Sequence, residues 1–245
     1  MKKVILSAIT ILFLGYVAKA QTTTSTGETK IDLSGRAADH LVFQFGSDAL
    51  MSRPDSVKTS GFSRHFNVYF MYDKPFKKNQ HYSVAFGAGL GTDNLFLDNH
   101  TYANLKTSAS TLPFQQLDTT ANHFAKQKLT TIYLQAPVEL RYYSDPAHPG
   151  KSWKAAAGIK AGMLLKAYSK AKNYETAGGA SIYGKTFIEK QEDTRFFNST
   201  DITLTGRVGY GIFSLDMGYT PTGYLRDGYG AVMNKVSFGI TISGL

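Results

Sequence analysis

Six histidines (His40, His65, His81, His100, His123 and His148) are the side chains best suited to acid–base or metal chemistry in this chain. They are dispersed, no His-x-x-x-His pair occurs and there is no cysteine, so neighbours in sequence supply no zinc-type ligand set. His65, His100 and His123, with Asp93 and Asp98, make up an acid–base set that strand ends could gather at one rim, as a lipid-modifying site would require. Nothing in their spacing shows that they converge, and polar loops carry such residues anyway. The glycine run GAGLGT at 87–92 resembles a phosphate loop but sits inside a strand-like stretch, where small residues make room for larger neighbours. No Gly-x-Ser-x-Gly elbow is present, and Asn99-His100-Thr101 fits a glycosylation triplet by chance. The expectation is a protein that is not an enzyme, with no catalytic residue, no cofactor and no metal.

A second set of charged residues is more informative, because each lies among alternating residues. In the stretch IYLQAPVELRYY (132–143), Ile132, Leu134, Ala136, Val138, Leu140 and Tyr142 share one parity, and Gln135, Glu139 and Arg141 the other. That is a strand with one oily and one polar face. Lys160, Arg207 and Asp216 stand on the polar parity of three further such stretches. Between Tyr210 and Phe213, Gly211-Ile212 suits a two-residue turn. Counting away from it sets Arg207 opposite Asp216 as a cross-strand ion pair, with Glu139 as the alternative partner of Arg207. Glu139, Arg141, Lys160, Arg207 and Asp216 are therefore expected to form one charge network.

The elements that must hold this network are eight alternating stretches. Their oily sets include Leu41, Phe43 and Phe45; Phe62, Phe66, Val68, Phe70 and Tyr72, with Arg64 as an exception; and Tyr82, Val84, Phe86 and Leu90. After the 132–143 stretch come Trp153 to Leu165, with Lys154, Lys160 and Lys166 on the opposite parity. Ile202, Leu204, Val208 and Tyr210 follow, then Phe213, Leu215, Met217 and Tyr219, and finally Val236, Phe238, Ile240 and Ile242. The polar faces mix Gly, Ser and Thr with a few large charges of both signs, which fits a narrow lumen better than a water-facing surface. Tyr72, Tyr82, Tyr142, Trp153, Tyr210 and Phe213 have oily parity and flank the second, fourth and sixth connections, as an interfacial aromatic girdle would. Those connections are short and the others long. The expected fold is an all-β, eight-stranded antiparallel up-and-down transmembrane β-barrel with short periplasmic turns and long outer loops. Ten strands result if residues 180–190 add a hairpin within the membrane. A soluble ligand-binding barrel explains the strands but neither the girdle nor the loop asymmetry.

Composition agrees. With 15 Tyr, 16 Phe and 23 Gly but only 18% charged residues, the chain favours β structure over helix. Lys2 and Lys3, an apolar run from Val4 to Ala18 and the ending Ala18-Lys19-Ala20 read as a secretory signal peptide. Residues 1–20 are then signal, 21–39 an N-terminal periplasmic lead-in and 40–245 the barrel domain, placed in the bacterial outer membrane. Loss of Lys2, Lys3 and Lys19 lowers the formal charge from +9 to +6. Lys and Arg are scattered among acids, so nucleic acid is excluded as a partner. Outer-membrane lipid, and other envelope proteins met through the long loops, are expected instead.

The stretch LTTIYLQAPVELRYY (129–143) resembles the signature strand of the PorT-like outer-membrane β-barrel proteins of Gram-negative bacteria. Its core is Tyr133-Leu134-x-x-Pro137-Val138-Glu139-Leu140-Arg141-Tyr142. AAAGIKAGMLL (155–165) and GRVGYGIFSLDMGY (206–219) are similar to the same family. The resemblance implies the barrel fold and the outer-membrane location. Since the name-giving relative takes part in exporting other proteins, it also implies an accessory role in secretion as an alternative to the structural or interaction role at the cell surface expected here.

Overall fold

Alternating side chains with a period of two require strands, and strands with both faces committed need partners on both edges. The computed structural model, which describes residues 40–59, 63–98, 101–116, 118 and 120–244, supplies them by closure. The expected signal and lead-in (1–39), Phe62 and His100 lie outside the described residues.

Among the described residues eleven strands follow in order: β1 (Leu41–Met51), β2 (Arg64–Pro75), β3 (Tyr82–Leu97), β4 (Thr101–Ala103), β5 (Phe114–Gln116), β6 (His123–Tyr143), β7 (Trp153–Glu175), β8 (Ile188–Glu192), β9 (Thr200–Tyr210), β10 (Phe213–Thr220) and β11 (Asn234–Ser243). Eight of them form the ring β6-β3-β2-β1-β11-β10-β9-β7, which β6–β7 pairing closes. Every neighbouring pair is antiparallel. β4 and β5 pair with each other, and β8 pairs with the upper end of β7. The segment 180–190 therefore adds no hairpin to the ring: residues 182–187 run through turns and bends, and Ile188 begins β8. Eight strands cross, not ten.

At one end the connections are short, namely 76–81, 144–152 and Gly211-Ile212. Gly211 has φ +61 while Ile212 is not among the positive-φ residues, the pattern of a type II′ turn with Gly first. In the 144–152 turn, Asp145 accepts from the His148 ring and from the amides of Ala147 and His148, which hold its carboxyl below the usual range. At the other end the connections are long: 52–63, 98–122, 176–199 and 221–233. β6 and β7 have 21 and 23 residues against 8 in β10, so their excess rises above the ring at this end.

Two local irregularities matter. β6 pairs with β7 as Tyr133↔Leu164 and then Ile132↔Lys166, so Leu165 is an extra residue, a β-bulge. One inserted residue reverses parity above it. Lys166, expected on the lumen face, therefore stands on the outer wall in a 3.0 Å ion pair with Glu192. Pro137 keeps its register opposite Lys160 on β7, with no bulge. On its other side the β3–β6 ladder skips Gly87 and Ala88, the residues facing Pro137 and Ala136, where a proline can donate no hydrogen bond.

Inside and outside are inverted in the ring. Phe70 and Leu215 are each 67% exposed, while Gln44, Asn67, Gln135, Glu139, Arg141, Lys160 and Arg207 are buried. Above the ring the long connections fold inward and pack Leu50, Leu97, Leu105, Leu129, Phe196, Phe197, Leu225 and Met233 into an apolar cluster over the mouth. Among the described residues no helix is long and apolar enough to cross a membrane; strands make the crossing.

Candidate functional site: the charged lumen

The lumen is built from what parity points inward. Six carboxylates (Asp48, Asp73, Asp93, Glu139, Asp201 and Asp216) share it with Arg141, Lys154, Lys160, Arg207, Lys235 and His65. The signs nearly cancel, as a low-dielectric interior demands.

In the half nearer the short turns, Glu139 is the hub. Its Oε2 accepts from Arg141 Nε at 2.9 Å and from Arg207 Nη2 at 3.0 Å. Arg141, 1% exposed, also reaches Asp73 at 3.9 Å and donates to Met71 Sδ at 3.1 Å. Arg207 and Lys154 both donate to Ser243 Oγ, at 3.3 and 2.7 Å. Arg207 does lie opposite Asp216 in register. The hydrogen bonds nonetheless divide them: Asp216 accepts from Thr241 at 2.7 Å, and Arg207 turns to Glu139. The cause lies on the intervening strand, where Arg207 faces Ala156 and Glu139 faces Gly158. Neither small residue blocks the guanidinium from reaching over β7.

In the other half, Lys160 donates to Tyr69 OH (3.2 Å), Tyr69 to Gln135 Oε1 (2.6 Å) and Gln135 to Asp201 (3.4 Å). A Cβ at Gly162 would displace the Asp201 carboxylate from its present place. Lys235 pairs with Asp93, and His65 Nδ1 with Asp48 Oδ1 at 2.8 Å. A pocket beneath the cap, lined among others by Asp93, Tyr133, Asp201 and Lys235, measures about 10 Å³, room for about one water.

Of the five residues expected in the network, Glu139, Arg141 and Arg207 meet directly, Lys160 belongs to the Tyr69 chain, and Asp216 bonds Thr241. Asp48, Asp73, Lys154, Asp201 and Lys235 also belong to the lumen. Asp73 and Lys235 were legible by parity, standing next to outward Tyr72 and Val236.

Among the described residues the acid–base set does not assemble; its fifth member, His100, lies outside them. His65 and Asp93 are cross-strand neighbours, but His65 is 2% exposed and bound to Asp48. Asp98 accepts from Thr101. His123 lies 3.5 Å from Glu175, eight residues up β6 from Thr131, the residue paired with Asp93. At about 3.4 Å per residue, that is roughly 27 Å away along the strand. Among the described residues no group of three or more His, Asp or Glu is placed to hold a metal ion.

The expected girdle residues all lie at the short-turn end, on the outer face, with exposures from 39% (Tyr142) to 63% (Trp153). They pair across strands: Tyr82–Tyr142 at 5.3 Å and Trp153–Tyr210 at 5.6 Å between ring centroids, with Tyr72 on Phe86 at 5.5 Å.

No curated protein sequence matches the chain. A family model, the outer membrane protein beta-barrel domain, matches residues 21–222. An inverted ring of eight strands and a family match over most of its length agree: this chain belongs to the outer membrane β-barrel domain family.

Proposed function

We propose that the protein is a non-conducting, non-enzymatic barrel that carries its loop-built cap on the cell surface as a structural or interaction surface. The carrying observation is the doubly closed lumen, filled by hydrogen-bonded charges around Glu139 and covered by the apolar cluster around Phe197. A pore would need a continuous wet path, and a lipid-modifying site would need His65 within reach of substrate. The likeness of the Pro137 strand to PorT-like proteins supports the same placement, with the lumen charges serving to fill and fix the barrel. The short turns then face the periplasm and the cap faces outward, and the signal is removed after Ala20.

Planar-bilayer recording of the refolded protein tests the reading, with no stepwise conductance expected. Stable open-channel steps would overturn it. Protease added to intact cells should cut within the 98–122 connection, and cutting only after permeabilisation would reverse the orientation. N-terminal peptide mass spectrometry should find Gln21 first.

A further inference from the structure

On β6, the residues of outward parity climb from Ile132 through Thr130, which its neighbours bury, to Lys128, Lys126 and Phe124. On β7, above the bulge, they are Lys166, Tyr168, Lys170, Lys172 and Tyr174. The registers set Lys128 opposite Lys170, Lys126 opposite Lys172, and Lys170 opposite Lys190 of β8. Like charges directly across a ladder oppose pairing. Lys128 donates to Asn94 at 2.7 Å, while Lys126, Lys170 and Lys172 have no acidic partner among the described residues. A carboxylate beside them, Glu192, bridges Lys166 and Lys190. A merely solvated wall would mix signs on one face, as β8 does with Lys190 and Glu192. Phe96, Gln127 and four of these lysines line a groove of about 210 Å³.

Height identifies what lies opposite this groove. Ile132 is ten residues above the girdle residue Tyr142 and Lys128 is fourteen. With about 3.4 Å per residue and a tilt of about 40°, Ile132 stands about 26 Å above the girdle, the top of an apolar band roughly 25 Å tall. The same geometry puts Lys128 about 36 Å up, in the headgroup layer. Above the lysines comes an aromatic tier. Phe124 pairs with Tyr174 at 4.9 Å, and Tyr183, 64% exposed, stacks on Tyr174 at 6.1 Å.

From the geometry we infer that the outer wall of β6, β7 and β8 is a binding site for a phosphorylated glycolipid of the outer leaflet. Acyl chains run along Ile132 and Leu134, phosphates occupy the groove between Lys126, Lys128, Lys170 and Lys172, and saccharide lies over the aromatic tier. The inference rests on the cap-outward orientation, since phosphates at this height meet the lysines only if this end lies in the outer leaflet. Cations at this position neutralise phosphates that would otherwise repel one another, and each charge-assisted contact is shortened and strengthened next to a low-dielectric layer.

The test uses full-length protein in detergent micelles, with binding followed by native mass spectrometry. The probes are bisphosphorylated lipid A, the same lipid A dephosphorylated, phosphatidylglycerol and inorganic phosphate. K126Q/K128Q/K170Q/K172Q should bind bisphosphorylated lipid A at least tenfold more weakly than the unmodified protein. K74Q/K77Q/K78Q/K151Q, equal in charge but at the short-turn end, should bind it normally. Dephosphorylated lipid A should show the tenfold loss on the unmodified protein and no further loss on the first variant. Equal binding by the first variant, equal retention of phosphatidylglycerol, or displacement by millimolar inorganic phosphate would each overturn the proposal. A heat-dependent gel shift, unchanged in both variants, reports barrel folding separately from lipid binding. Protease access on intact cells checks orientation independently.

Discussion

The ring and the cap are made from the same strands but obey opposite rules. In the ring, β3 presents Phe86 and Leu90 outward and β6 presents Leu134, Val138 and Leu140 outward. A few residues higher, β3 turns Leu95 and Leu97 inward and β6 turns Leu129 inward, while Lys126 and Lys128 face out. β1 does the same with Phe45 below and Leu50 above. The apolar parity changes because the solvent changes. Lipid rewards oil on the outside and obliges the interior to satisfy its own charges, whereas water reverses both demands. In β7 the change falls beside the Leu165 bulge, so the backbone itself marks the boundary. The level at which apolar parity flips is a reading of where the hydrocarbon ends.

If the two regions are held by different forces, they should fail differently. The largest effect is expected from Glu139→Ala, which strips two buried arginines of their shared acceptor. Removing one member of a buried ion network costs about 3–5 kcal/mol. The urea midpoint of the refolded barrel should fall accordingly. A double-mutant cycle sharpens the point: Arg207→Ala should couple to Glu139→Ala more strongly than to Asp216→Ala. The opposite ranking would return Arg207 to its register partner.

Phe197→Ala removes a fully buried ring from the cap. Large-to-small changes of this kind cost about 3–5 kcal/mol, but here the loss should stay local. Amide exchange should rise at Leu105, Leu225 and Met233 while the heat-dependent gel shift of the ring persists. A ring that unfolds together with the cap would show that the two are one cooperative unit.

The lipid side offers a third contrast. Val138, 45% exposed, lies near mid-band, four residues from Tyr142 and six from Ile132. Val138→Arg should cost about 2–4 kcal/mol, whereas Phe124→Arg, above the band on the same strand, should cost about 0–1. Equal costs at the two sites would place both in the same medium.

The ring was legible in the sequence and the cap was not, for a physical reason. A strand between two media writes its environment at every second residue, so the eight stretches, the outward placing of the six aromatic residues and even the Arg207–Asp216 register follow from counting. The cap's core comes from irregular connections. Leu105, Leu112, Phe196 and Leu225 stand at no common period, and only the folded chain brings them together. Counting also fails at single insertions, and Lys166 changed sides because one bulged residue precedes it. It fails again where reach matters, since Arg207 found Glu139 across two small residues of a strand that the sequence does not place between them.

A small and local effect is expected at the end farthest from the cap, and it asks whether the regions are energetically separate. Gly211 occupies the left-handed region at φ +61, donates its amide to Ser152 O at 3.0 Å, and has Gly150 O only 3.0 Å from where a Cβ would stand. Alanine there costs about 1 kcal/mol from backbone conformation, plus whatever the neighbouring 144–152 turn must yield. The β9–β10 register keeps its other constraints, because Val208 and Leu215 still face lipid and Thr203 still meets Thr220 at 2.7 Å in the lumen. The ring should therefore lose about 1 kcal/mol without changing shape. The cap, held by apolar burial at the opposite end, should not respond. Urea unfolding of Gly211→Ala should show the small drop, with amide exchange at Leu105 and Met233 unchanged. Faster exchange in the cap would mean that strain in the turn travels the length of the strands, and that ring and cap share one stability rather than two.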